Sequence, residues 1–182
     1  NQIQGFFDIP VDHLPGVPTI AEYLKGRLQR ENTVVLSPDV GGVTRARDLA
    51  AKLDAPLAIV DKRRPEPNVS EIMNVIGDVC GKSVVIIDDI IDTAGTICSA
   101  AKVMMEKGAR EVIATCTHPV FSGPAIERLS QAPIKEIIIT NTIPLDESKT
   151  LPNTTILSVA PLVGEAILRI HEDLSVSKLF EF

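Results

Sequence analysis

Short runs rich in Val and Ile recur along the chain, at Val34 to Ser37, Leu57 to Val60, Ser83 to Ile87, Val112 to Thr117, Glu136 to Ile139 and Thr155 to Val159. Several are apolar at consecutive positions, so both faces must be buried, and their lengths suit strands. Between them apolar residues fall at helical spacing, with Ile20, Tyr23, Leu24 and Leu28 in Thr19 to Arg30, and Ile97, Ala100, Ala101, Met104 and Met105 between Thr96 and Gly108. Val43 to Leu53, Ser122 to Gln131 and Pro161 to Glu172 read as helices in the same way. Strands alternating with helices predict an α/β fold, a mostly parallel central sheet flanked by helices. The charged segment Asp61 to Ser70, with two prolines, interrupts the alternation, and Glu71 to Val75 could follow it as an antiparallel strand closing a small flap.

Composition narrows what such a fold could do. A length of 182 residues, 45% of them hydrophobic, suits one core, so residues 1–182 are expected to form a single domain. The net charge of -6 argues against a broad grip on nucleic acid, and any phosphate binding must be local. Aromatic residues make up only 3%, with no Trp, which removes the stacking platforms of single-strand binders. No apolar run approaches the roughly 20 residues of a membrane span, and Asn1 to Phe7 has no signal-peptide character, so a soluble cytoplasmic protein is expected. Cys80, Cys98 and Cys116 lack the spacing of a zinc site or a disulfide framework and read as reduced, buried thiols.

The most informative string is VVIIDDIIDTAGT, Val84 to Thr96. A buried strand ends in two carboxylates, Asp88 and Asp89, and Asp92, Thr93, Ala94, Gly95 and Thr96 then open a helix. Backbone N–H groups at a helix start, with a glycine permitting close approach and two hydroxyls nearby, make an anion pocket. Carboxylates beside such a pocket would repel phosphate but suit sugar hydroxyls, or a divalent cation shared with them. In SPDVGG, Asp39 is a hard oxygen donor of the kind magnesium accepts, and Gly41 and Gly42 let N–H groups turn toward a pyrophosphate; the same four residues, Asp-Val-Gly-Gly, also make an ordinary turn. Lys62, Arg63 and Arg64 are adjacent cations in an acidic chain, suited either to a solvated loop or to closing over phosphates. Arg45 could point toward the same phosphates. His13, His118 and His171 share no metal-binding spacing, although His118 could line the site.

The Val84 to Thr96 string resembles the phosphoribosyl pyrophosphate-binding loop of the type I phosphoribosyltransferase fold. QIQGFFDIPVDHL, SPDVGGVTRAR, VDKRRPEPN, THPVFSGPAIERL and SVSKLF resemble the ribose-phosphate pyrophosphokinases, and the similarity runs the whole length. In that family Asp-Leu-His ordinarily precedes the first string and another domain lies ahead of it. The resemblance therefore implies a carboxyl-terminal half whose active site lacks a metal-site His and most of the ATP grip, inactive by itself.

What the resemblance further implies is transfer of a pyrophosphoryl group from Mg-ATP to the anomeric hydroxyl of ribose 5-phosphate, with magnesium as cofactor. It makes Lys62 and Arg64 catalytic on a mobile flap, places Asp39 on the metal, and gives Asp88, Asp89 and Asp92 to Thr96 to ribose 5-phosphate. Gln4, Asp12, His13, Ser175, Ser177 and Phe180 match positions of a regulatory nucleotide or phosphate site between subunits, and a homohexamer built from dimers is implied. The alternatives are a phosphoribosyltransferase, which would take a base and no ATP, and a non-catalytic synthetase-associated regulatory subunit.

Overall fold

The computed structural model describes residues 2–63 and 72–180. Seven strands form one sheet: β1 (Thr33–Ser37), β2 (Leu57–Arg63), β3 (Ile72–Ile76), β4 (Ser83–Ile91), β5 (Glu111–Pro119), β6 (Glu136–Thr140) and β7 (Thr154–Leu157). Their order is β3-β2-β1-β4-β5-β6-β7, with every pairing parallel except β2 with β3. Among the described residues five α-helices connect or flank them: α1 (Val17–Leu24), α2 (Val43–Leu53), α3 (Gly95–Glu106), α4 (Ala125–Gln131) and α5 (Ala160–His171). The expected α/β architecture is present, and the antiparallel β2–β3 edge is the expected flap strand.

Alternate residues of each central strand feed two cores, as the two-residue period of a strand dictates. Val84 and Ile86 of β4 pack with Ile97, Ala101 and Met104 of α3 and with Leu129 of α4. Val85 and Ile87 pack on the other face with Ile20 and Leu24 of α1 and Leu49 of α2. Burying both faces is what the unbroken Val/Ile runs require.

Several boundaries differ from expectation. The first helix ends at Leu24, six residues short of Arg30, and Gly26 follows at φ 76, a left-handed turn that a helix cannot continue through. β4 runs on through both aspartates to Ile91, because β5 extends beside it and pairs Asp88 with Cys116 and Ile90 with His118. Cys98 and Cys116 are buried as expected, but Cys80 is exposed, in the turn before β4. Among the described residues no helix is long and apolar enough to cross a membrane.

Candidate functional site

Parallel pairing of β1 with β4, Leu36 opposite Ile86, sets the carboxyl ends of these strands side by side. The loop after β1 and the loop after β4 therefore meet at one edge of the sheet, where parallel α/β folds bind ligands.

The loop after β4 reverses quickly. Ala94, the residue before α3, sits at φ 60, a left-handed conformation unusual for a residue with a Cβ, and its carbonyl accepts from Cys98 N at 3.1 Å. No side chain caps the helix. The amides of Gly95, Thr96 and Ile97 are thus the first of the helix, without carbonyl partners in the preceding turn. They border a concavity of about 150 Å³ lined by Asp88 and by Ile90 through Ile97. Asp92 is held by Ser122 Oγ, and the carbonyl of Asp92 accepts from Ser122 N at 3.0 Å. Arg128 Nη1 donates to the Thr93 carbonyl at 3.0 Å. That arginine, 35 residues away along the chain, carries no motif signal of its own and was not among the candidate residues.

Gly95 is informative because the protein alone does not require it. A Cβ there would meet Arg128 Nη1 at 3.4 Å, ordinary contact, and its φ lies outside the left-handed region. Gly95 itself lines the concavity, where the lack of a side chain would let an anion approach the backbone.

Asp88 and Asp89 both face Arg45, in the first turn of α2. Its Nη1 donates to Asp88 Oδ1 at 2.8 Å, and its Nη2 lies 2.6 Å from Asp89 Oδ2. Asp89 N donates to Asp88 Oδ1, and Ile90 N to Asp89 Oδ1, each at 2.9 Å. Burial, reinforced by the Asp89 carboxylate, pushes Asp88 up to about 6 against the pull of Arg45. Arg45 thus reaches the acidic pair, one member of which lines the concavity.

The loop after β1 answers its own polar groups. Asp39 Oδ1 accepts from Gly42 N at 2.9 Å, and Ser37 Oγ donates to the Asp39 carbonyl at 2.7 Å. A Cβ on Gly42 would lie 3.0 Å from Ser37 Oγ and 3.4 Å from Arg45 Nη1, whereas one on Gly41 would approach only Asp39 Oδ1. No group of three or more His, Cys, Asp or Glu among the described residues is arranged to hold a metal. A single carboxylate is nevertheless within magnesium's habit, since that ion takes one or two carboxylates together with substrate phosphates.

The other candidate residues are less concentrated. The backbone of Lys62 lies in β2 opposite Met73, while Arg64 lies outside the described residues. Gln4 Nε2 donates to the Val11 carbonyl, Ser175 Oγ bonds Ser177 Oγ at 2.7 Å, and Arg169 holds the Ser175 carbonyl. Asp12, His13 and Phe180 are exposed near these segments' ends. His118 bonds Thr142 Oγ1 and does not line the concavity. A larger hollow, about 480 Å³ between α1 and the start of α5, is lined by none of the candidate residues.

Comparison with solved structures sets this arrangement in the phosphoribosyltransferase-like class of α/β folds. Phosphoribosylpyrophosphate synthetase from Mycobacterium smegmatis superimposes with a TM-score of 0.84 at 42% identity, over 95% of this chain and 56% of that one. Orotate phosphoribosyltransferase from Aeropyrum pernix, at 0.53 and 21% identity over 81% of this chain and 73% of that one, shares the fold alone. The family model described as phosphoribosyl synthetase-associated domain matches residues 44–181. Ribose-phosphate pyrophosphokinases of Bacillus caldolyticus and Bacillus subtilis are 61% and 59% identical over 99% and 98% of this chain, and 57% and 56% of their own. The chain belongs to the ribose-phosphate pyrophosphokinase family and spans a little over half the length of these relatives.

Proposed function

We propose that this chain supplies the ribose 5-phosphate side of a diphosphokinase reaction, in which the anomeric hydroxyl attacks the β-phosphorus of Mg-ATP and AMP leaves. The observation that carries the reading is the start of α3, whose first-turn residues Gly95 to Ile97 border a concavity that is also lined by Asp88, which Arg45 ties to Asp89. The amides of Gly95 to Ile97 and the hydroxyls of Thr93 and Thr96 hold the 5-phosphate, and Gly95 lets it approach the backbone. Asp88 and Asp89 accept hydrogen bonds from ring hydroxyls, which fixes the ring so that the nucleophile is presented in one orientation. Magnesium, when bound, neutralises charge on the transferring group, and Asp39 is the side chain that would hold it against the phosphates. Lys62, whose backbone lies in β2, and Arg64 are assigned to the migrating group on family resemblance, as cations able to neutralise its charge.

The regulatory nucleotide or phosphate site at Gln4, Asp12, His13, Ser175, Ser177 and Phe180, and assembly into a homohexamer, are part of the same proposal. The family relationship at about 60% identity favours pyrophosphoryl transfer over transfer to a base, since the base-using neighbours share only the fold.

Calorimetric titration of the chain with ribose 5-phosphate and with ATP, separately, tests the reading. Binding of ribose 5-phosphate with feeble ATP binding is expected. Binding of ATP in preference to the sugar phosphate would contradict it.

A further inference from the structure

Two like charges on successive residues repel, and in an undistorted strand their side chains would point to opposite faces. Here Asp88 and Asp89 turn toward one guanidinium, each through a different nitrogen of Arg45. A guanidinium is a planar fork whose donors have fixed relative directions, so it sets the orientation of both carboxylates as well as their charge. Each carboxylate oxygen has two lone-pair sites, and one oxygen of each aspartate also takes a backbone N–H, Asp88 Oδ1 from Asp89 and Asp89 Oδ1 from Ile90. The directions left to the pair are therefore restricted before any ligand arrives.

Arg45 is itself partly buried. Its side chain is 24% exposed, it leaves the first turn of α2, and Nη1 lies 3.4 Å from where a Cβ on Gly42 would be. Gly42 N bonds Asp39 Oδ1, so the arginine that pairs with both carboxylates at the end of β4 also lies beside the turn that holds Asp39. No other cation among the described residues forms an ion pair with either aspartate.

We propose that Arg45 is a positioning residue that gives the acidic pair its selectivity for ring hydroxyls, by locking the directions in which Asp88 and Asp89 can accept. The inference rests on the sugar-phosphate reading of the site. With a glutamine at this position the carboxylates turn away from each other and hydroxyl recognition weakens, while the amide-lined loop, which Arg45 does not touch, keeps its grip on phosphate. Lysine restores the charge but not the fork, so it recovers only part of the selectivity.

The test compares wild type, Arg45→Gln and Arg45→Lys by calorimetry against ribose 5-phosphate, 2-deoxyribose 5-phosphate and inorganic phosphate, with far-ultraviolet dichroism confirming the fold of each variant. Wild type is expected to prefer ribose 5-phosphate to its deoxy analogue by about tenfold, the scale of one hydrogen bond to a charged acceptor. Arg45→Gln should bring the two within about twofold of each other on the same scale, Arg45→Lys should fall between, and inorganic phosphate should bind all three alike. Unchanged discrimination in Arg45→Gln overturns the inference and leaves the sugar-phosphate reading standing. A matching loss of inorganic phosphate binding also overturns it, by showing general disruption. A wild-type chain that binds neither sugar phosphate overturns the reading itself, and the inference with it.

Discussion

The loops after β1 and β4 stand side by side at the same edge of the sheet, yet their carboxylates turn in different directions, that of Asp39 onto its own turn and those of Asp88 and Asp89 onto Arg45. After β1, Asp39 caps the turn that contains it, and Gly42 is packed against Ser37 and Arg45. Neither α2 nor α3 begins with a capping side chain, but after β4 Ala94 holds a left-handed backbone and the first-turn residues Gly95 to Ile97 line a concavity. A loop whose acid is turned onto its own backbone is stable without a ligand, whereas one whose helix start lines a concavity has room for something to arrive. The first reads as a preformed support and the second as the receiving surface.

The largest effect should come from removing the acidic wall. Asp88→Asn with Asp89→Asn is expected to weaken ribose 5-phosphate binding by about 10- to 100-fold, since hydrogen bonds to charged groups contribute about 1.5–3 kcal/mol each. Inorganic phosphate should bind no worse, because Arg45 is released from its two partners. Gly95→Ala should reduce binding of both phosphates by about tenfold, one charge-assisted hydrogen bond's worth, with little change in Tm because its Cβ meets only ordinary contact. Gly42→Ala should show the reverse, a Tm lower by about 2–4 °C for a cost near 1 kcal/mol, since its Cβ presses on Ser37 Oγ at 3.0 Å. Equal behaviour of the two glycine variants in melting and in phosphate titration would erase the contrast between the loops.

Asp39 separates support from chemistry in a similar way. Asp39→Asn keeps an oxygen for Gly42 N, so its urea midpoint should stay near wild type, whereas Asp39→Ala should lose about 1 kcal/mol. If Asp39 holds magnesium, both should lose any magnesium-dependent gain in pyrophosphate binding.

The smallest effect is that of pH. Asp88 titrates near 6, above its unfolded value of 3.8, so its folded state binds the extra proton between those values. Its contribution to folding stability is full below about 3.8 and is lost as pH rises through about 6. Binding has the opposite sign, because only the ionised carboxylate accepts from two hydroxyls. The ratio of ribose 5-phosphate to glycerol 3-phosphate affinity should therefore fall severalfold between pH 7.5 and 5, the second ligand cancelling titration of the phosphate itself. A flat ratio would remove Asp88 from sugar recognition.

Much of the sheet was legible because its strands are buried on both faces and show it as unbroken runs of Val and Ile. The acidic pair and the following helix start were legible too, since carboxylate, hydroxyl and glycine occur together in thirteen residues. Less visible was the continuation of β4 through Asp88 to Ile91, because two charges resemble a strand's end until β5 is known to pair alongside. Arg45 on the acidic pair, 43 residues away, and Arg128 on the Thr93 carbonyl depend on tertiary packing, which local pattern does not report. The early end of α1 depended on the left-handed conformation of Gly26, which a glycine permits but does not announce.

A ¹⁵N–¹H correlation titration of the chain with ribose 5-phosphate tests the central claim most directly. The amides of Gly95, Thr96 and Ile97 should move first and furthest, followed by those of Asp89 and Ile90, whose N–H groups rest on the acidic pair. Saturable shifts centred instead on Ala21, Tyr23 and Leu162, around the larger hollow between α1 and α5, would contradict it.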